Sequence, residues 1–197
     1  MNSLAKIFVD GAAGTTGLEI RERLAPRAEL SLTALADAER KDPVARKRAL
    51  NAADVVILCL PDEAAREAVT LIDNPATRVI DASSAHRVAD GWAYGLAELE
   101  PDGYARIAAA KRVSNPGCWP TGFLAIMRPL VQAGIVPADY PASVSGVSGY
   151  SGGGKSMIAE FEDKKAADYT EAVSRIYGLN LAHKHLPEMQ KHSGLAH

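Results

Sequence analysis

The chain has 197 residues, 47% of them hydrophobic and 23% charged, with a formal net charge of −2. That composition supports one or two domains with an apolar core, and the near-neutral charge implies no polyanion-binding face, so no nucleic-acid partner is expected. No apolar run is long enough for a bilayer, no signal-peptide pattern opens the chain, and the two cysteines, Cys59 and Cys118, make no disulfide framework; a cytoplasmic setting without a membrane partner follows by default.

Ile7-Phe8-Val9 predicts a first strand, closed by Asp10. Gly11-Ala-Ala-Gly14-Thr15-Thr16-Gly17 then leads into a helical segment, Leu18 to Leu24. A glycine turn between a strand and a helix lets backbone N–H groups meet a phosphate. The spacing is G-x-x-G-x-x-G, a weak pattern by itself, so the flanking strand and helix carry the reading. Gly11, Gly14, Thr15, Thr16 and Gly17 are the cofactor-binding candidates. Leu30 to Leu35 predicts a second strand, followed by Asp37. An acid about twenty residues past the last glycine stands where a ribose-binding carboxylate would sit. Arg40 and Lys41 could instead hold a 2′-phosphate, and a solvated loop of mixed charge is the plain alternative.

Asp42 to Ala52 predicts a helix, and Asp54 to Leu60 a strand buried on both faces of a parallel sheet, with Cys59 as a packing residue. Glu63 to Ile72 is the next helix and Arg78 to Ala82 the next strand. The alternation predicts a doubly wound α/β domain with its sites at the C-terminal strand ends. Ser83, Ser84, His86 and Arg87 follow such an end. Arg87 can pair bidentately with a phosphate or carboxylate, and His86 reads as a hydrogen-bonded loop residue. Tyr94 to Leu99 reads as a turn.

Ser114-Asn115-Pro116-Gly117-Cys118-Trp119-Pro120-Thr121 carries the strongest chemical signal. Pro-Gly forces a turn, and the apolar run Phe123 to Val131 predicts a helix opening at Cys118. Free N–H groups and the dipole at a helix start favour negative charge, and the thiolate is the nucleophile. Most free cysteines are packing residues; here the turn and the helix start coincide, which favours a nucleophile. Further on, Ala142 to Gly149 alternates small and apolar residues and predicts a strand of a second sheet. Tyr150 to Lys155 is a glycine loop with a helix starting near Ser156, and it is read as not a P-loop because Gly149 falls one place late for the spacing G-x-x-x-x-G-K-[ST]. His183 and His185 would share one face of an extended strand, and either facing Cys118 would make a thiol–imidazole pair. One cysteine without a C-x-x-C pair predicts no metal site.

Taken together, Gly11–Gly17, Asp81–Arg87, Asn115–Thr121, Ser148–Lys155 and His183–Glu188 resemble the N-acetyl-γ-glutamyl-phosphate reductases, arginine-biosynthesis enzymes related to aspartate-semialdehyde dehydrogenase. The likeness is to the shorter sequence type and runs over nearly the whole chain, with Trp119 where many members carry Phe or Tyr. It implies an NADP-binding Rossmann-like domain at 1–117 and part of an α+β substrate and dimerisation domain at 118–197. Members continue well beyond this length, so the chain is expected to be a fragment of a homo-oligomeric enzyme. The implied activity is reduction of a small-molecule acyl phosphate by NADPH through a Cys118 thioester, with His183 preferred over His185 as acid and base. Ser83 is implied at the cofactor, and Arg87, Asn115, Lys155 and Glu188 at the substrate. The competing readings are a non-catalytic NADP-binding or thiol redox-sensing module, and a thiol hydrolase without nucleotide.

Overall fold

The computed structural model describes residues 4–36 and 38–196. Asp37, the ribose candidate, lies outside the described residues. One sheet organises the first of two compact units, which comprises the chain up to Tyr140 together with the stretch from His185. Its strands are β1 (Ala5–Asp10), β2 (Leu30–Thr33), β3 (Val55–Leu58), β4 (Arg78–Asp81), β5 (Ala93–Tyr94) and β6 (Arg112–Ser114). They lie in the order β2-β1-β3-β4-β6-β5, and all the pairings are parallel. Parallel neighbours need crossovers, which α1 (Thr15–Leu24), α2 (Pro43–Ala52), α3 (Asp62–Thr70) and α4 (Gly103–Ala109) supply.

Local sequence accounts for the element starts. Asp42 caps α2 by accepting the Val44 N–H at 3.0 Å, and Pro43 supplies a first-turn φ without needing a partner for its nitrogen. The sheet buries Phe8, Val56, Leu58 and Val79 against Leu50, Ala65 and Ala68 of the helices. Each of the larger side chains contributes about 1.5–3 kcal/mol by leaving water.

The chain runs from β1 to β2 on one side and then to β3 on the other, so a switch point lies between β1 and β3. Ligands of such sheets bind outside the C-terminal strand ends at that crevice. The glycine turn follows β1 there. The loop after β4 and the turn after β6 open on the same edge of the sheet, since Asp81 pairs with Ser114. At about 4.8 Å per strand, β1 and β6 stand roughly 14 Å apart along it.

Helix α5 (Cys118–Gln132) leaves the turn after β6, and α7 (Leu186–Ser193) packs against it. The second compact unit, Pro141–Lys184, contains a 3-10 turn at Tyr150–Gly153 and α6 (Gly154–Glu162). Stacking of Tyr150 on Phe161 and an Arg175–Glu160 ion pair hold it, and none of its residues is buried. Among the described residues no helix is long and apolar enough to cross a membrane.

Three expectations about local structure are corrected. Ala142–Gly149 is not a strand: alternation defines two faces, but no strand among the described residues pairs with it. His183 and His185 do not share a strand, because His185 is the N-cap of α7, with Pro187 in that helix's first turn. Tyr94–Leu99 is more than a turn, since Ala93–Tyr94 adds an edge strand and Ala97–Leu99 forms a 3-10 turn before α4.

Candidate active site

The cofactor candidates gather at the switch point. Gly11 has φ +84°, and a Cβ there would lie 2.2 Å from the Cys59 carbonyl oxygen, so the turn is pressed onto the end of β3. Only glycine tolerates both conditions. Helix α1 then starts at Thr15 behind Gly14, with no side chain capping its first N–H groups. Those groups and the helix dipole favour an anion, so the turn fits a phosphate of a dinucleotide. Thr15 is half-buried, Thr16 exposed and Gly17 buried. Arg40 and Lys41 are exposed in the turn beyond β2, the strand beside β1. A buried ion pair underlies the turn: Arg46 of α2 meets Asp10 at 3.0 Å. Its sequence signal is slight, because Arg46 stands in the basic run Arg46-Lys47-Arg48, which reads as a solvated face.

The loop after β4 is stitched to the sheet by buried polar groups. Asp81 accepts from the Ser83 N–H at 2.9 Å and the Ser83 hydroxyl at 2.7 Å, and its carboxylate meets His86 Nδ1 at 2.6 Å. His86 stacks on Trp92 with ring centroids 4.1 Å apart. Ser84 donates twice to Asp62 at the start of α3. Ser83 is thus held in a turn at the cofactor edge, its hydroxyl bound to Asp81. His86 is a hydrogen-bonded loop residue, as its sequence context predicts.

Cys118 is the first residue of α5, exposed, with Gly117 as N-cap. No side chain caps this helix, and Thr121 instead bonds back to the Gly117 carbonyl through its N–H and hydroxyl. Pro120 sits in the first turn, where a missing N–H costs nothing. The turn before the cysteine is gripped from α7. Glu188 accepts the Gly117 N–H at 3.1 Å, the Tyr94 hydroxyl at 2.8 Å and Arg87 Nη1 at 2.7 Å. Arg87 also donates to the carbonyls of Asn115 at 3.0 Å and Ala82 at 3.2 Å. A Cβ on Gly117 would lie 2.6 Å from Glu188 Oε1, 2.7 Å from Arg87 Nη1 and 3.0 Å from His185 Nε2. The imidazole of buried His185 therefore stands against the residue that precedes the nucleophile candidate. Burial, then the Glu188 bond, push the Tyr94 hydroxyl well above the usual tyrosine range, which keeps it a proton donor. His192 stacks on Tyr94 at 3.8 Å and donates from Nε2 to the Arg87 carbonyl at 2.8 Å. Burial lowers its pKa.

Of the residues named from sequence, Cys118, His185, Glu188, Arg87 and Asn115 meet around one turn. Arg87 and Glu188 face each other there. Asn115 is exposed and contributes its backbone carbonyl. His183 and Lys155 lie in the second unit, half-buried and exposed respectively. Gly149-Tyr-Ser-Gly-Gly-Gly154-Lys155-Ser156 does fit the spacing G-x-x-x-x-G-K-[ST], so the exclusion of a P-loop cannot rest on spacing. It rests on context, because a P-loop follows a strand and 141–149 is coil. Sequence reasoning misses Tyr94 and Asp81. Asp81 has a signal, a charged residue closing a buried strand as Asp10 does; Tyr94 has none.

Comparison with known proteins agrees with this layout. The family model described as semialdehyde dehydrogenase, NAD binding domain, matches residues 6–107, and the one described as semialdehyde dehydrogenase, dimerisation domain, matches residues 118–197. A relative from Chelativorans sp. (strain BNC1), named N-acetyl-gamma-glutamyl-phosphate reductase, is 56% identical over 98% of this chain and 61% of its own length. One of the same name from Burkholderia ambifaria is 57% identical over 99% of this chain and 61% of its own. The chain thus spans about three fifths of the length of these curated relatives. A crystal structure of aspartate semialdehyde dehydrogenase II from Vibrio cholerae superposes with a TM-score of 0.61 at 16% identity, covering 98% of this chain and 67% of that one, a likeness of fold. With its strand-end glycine turn, its cysteine at a helix start and both family models matched in order, the chain belongs to the semialdehyde dehydrogenase family.

Proposed function

We propose that the protein carrying this sequence is an N-acetyl-γ-glutamyl-phosphate reductase of arginine biosynthesis, using NADPH to convert the acyl phosphate to the semialdehyde and inorganic phosphate. The names of relatives at 56–57% identity support the substrate. The observation that carries the chemistry is Cys118 at the opening of α5 with His185 Nε2 against Gly117.

The Cys118 thiolate attacks the acyl carbon. The C–O bond to phosphate breaks, inorganic phosphate leaves, and a thioester forms on the sulfur. NADPH, when bound at the glycine turn, supplies a hydride to that carbonyl. The thiohemiacetal on Cys118 then releases aldehyde as the C–S bond breaks. His185 takes the thiol proton at the start and acts as the local acid and base at collapse. Its place against the Cys118 turn favours it over His183, which reverses the preference drawn from sequence. The N–H groups at the start of α5 stabilise charge on the sulfur. Asn115 flanks the same turn, and Lys155 remains a candidate for the substrate's anionic groups.

The division at 1–117 and 118–197 is supported by the limits of the two family models, although packing groups α5 and α7 with the sheet. The dimerisation-domain match supports a homo-oligomeric enzyme. Cys118→Ser in the complete enzyme tests the chemistry. Turnover is expected to vanish while NADPH fluorescence titration is unchanged. Substantial remaining turnover would refute covalent catalysis, and would leave a nucleotide-binding module as the better reading.

A further inference from the structure

We propose that the cleft bordered by the Tyr94–His192 stack is a second binding site, separate from the Cys118 turn, for a phosphate-sized oxyanion. The inference goes beyond the proposed reaction and does not depend on it.

The cleft has a volume of about 100 Å³, and its lining includes Tyr94, Glu100, Arg106 of α4, Arg128 of α5, and Lys191 and His192 of α7. Clefts that bury drug-sized ligands measure about 300–1,000 Å³, so the occupant here is a small ion or group. Its sign follows from the charges. Three cations on three helices meet Glu100, and that carboxylate is taken by Arg128 at 2.5 Å. The other two cations have weak counter-charges. Asp102 stands 3.9 Å from Arg106, beyond hydrogen-bond length, with both side chains more than half exposed. Asp90 stands 3.6 Å from Lys191 and is fully exposed, and Lys191 spends one donor on the Val88 carbonyl. Exposed pairs of this kind are screened by water and contribute little. An oxyanion in the cleft would give Arg106 and Lys191 the charge-assisted bonds that these acids do not, and a guanidinium can donate two N–H groups side by side to it. The field at the cleft points the same way. Burial lowers the His192 pKa, and the charges of Lys191 and Arg128 add to that, against the Arg87 carbonyl bond and the Glu188 carboxylate. Among the described residues the lining does not include Cys118, His185 or Arg87, so the cleft is distinct from the catalytic turn.

The test is a titration of the complete enzyme with inorganic phosphate at constant ionic strength, followed by the NMR signals of the His192 ring, which His192→Gln assigns. Phosphate is expected to shift those signals along a saturating curve, and chloride at the same ionic strength is not. Arg106→Gln with Lys191→Gln should weaken phosphate binding by at least about tenfold, since each substitution removes one charge-assisted bond. The same double variant should keep kcat and the KM for the acyl phosphate within about threefold of wild type. Absence of a phosphate-dependent shift overturns the proposal, and so does an equal shift with chloride, which would be screening alone. Unchanged phosphate affinity in the double variant would place the ion elsewhere and overturn it. A tenfold rise in the KM for the acyl phosphate would make the cleft part of the substrate site and overturn it too. If the double variant does not fold, Arg106→Gln decides alone, because that side chain is 53% exposed and its pair with Asp102 is long; unchanged affinity then overturns the proposal. The binding measurements need no substrate, so they remain readable even if the proposed reaction fails.

Discussion

Adding one methyl group at Gly117 should unfold the site from its centre. The backbone there, φ −69° and ψ 151°, suits alanine, so Gly117→Ala introduces no torsional strain. The cost is steric. The new Cβ would meet Glu188 Oε1 at 2.6 Å and Arg87 Nη1 at 2.7 Å, and neither group is a free chain end. Restoring ordinary van der Waals spacing moves the carboxylate by about 0.8 Å, which carries it out of hydrogen-bond range of the Gly117 N–H, now 3.1 Å away. Overpacking costs about 1–3 kcal/mol. A hydrogen bond to a charged group adds about 1.5–3 kcal/mol, so a loss of roughly 2.5–6 kcal/mol is expected in all. For a chain of this size that lowers Tm by about 5–24 °C. Gly122→Ala on the same helix is the control, because nothing lies within 4 Å of its Cβ position. Relief of unfolded-chain entropy should stabilise that variant by about 0.4–1 kcal/mol. The assay is circular dichroism melting of both proteins. A Gly117→Ala protein that melts with wild type would refute the packing of Glu188, Arg87 and His185 on this turn.

The two thiols should differ in reactivity. Burial, followed by the charges of Asp10 and Asp81, pushes the Cys59 thiol up to about 11, so at pH 8 iodoacetamide with peptide mapping should label exposed Cys118 and spare Cys59; equal labelling would refute the half-buried placement of Cys59. His192 should contribute acid sensitivity. Its folded pKa is lowered, so the unfolded chain binds the proton more readily, and the stability it contributes is present above about pH 6.5 and lost as pH falls. His192→Gln should therefore lose less Tm than wild type between pH 7.5 and 5.5, and equal losses would refute the assignment. In the complete enzyme, Arg40→Ala with Lys41→Ala should weaken NADPH more than NADH, by about 1.5–3 kcal/mol, the worth of one hydrogen bond to a charged group; equal weakening would make the pair a solvated turn.

Local chemistry alone determined much of this protein. Apolar runs separated by polar helices implied a parallel sheet, because strands covered on both faces must be apolar throughout. The glycine turn after Asp10 and the Pro-Gly turn before Cys118 were legible for the same reason: both turns depend on backbone freedom or rigidity that few residue types supply. The second unit was harder to read. Alternation at Ala142–Gly149 describes how a strand would face, but a strand exists only by pairing, and pairing is not a local property. The short β5 and α4 escape sequence reading because so few residues carry too little periodicity to register.

Only the tertiary structure decided how the site is assembled. Sequence spacing set His183 and His185 on one imagined strand, whereas Pro187 and the docking of α7 on α5 make His185 the cap of a helix against Gly117. Arg87 and Glu188 are separated by 101 positions, and no local rule pairs them. Burial does: a charge removed from water must find its counter-charge and donors, wherever in the chain they lie. That requirement joins the ends of β4, β5 and β6 to α7 around one cysteine, and it acts only once the chain is folded.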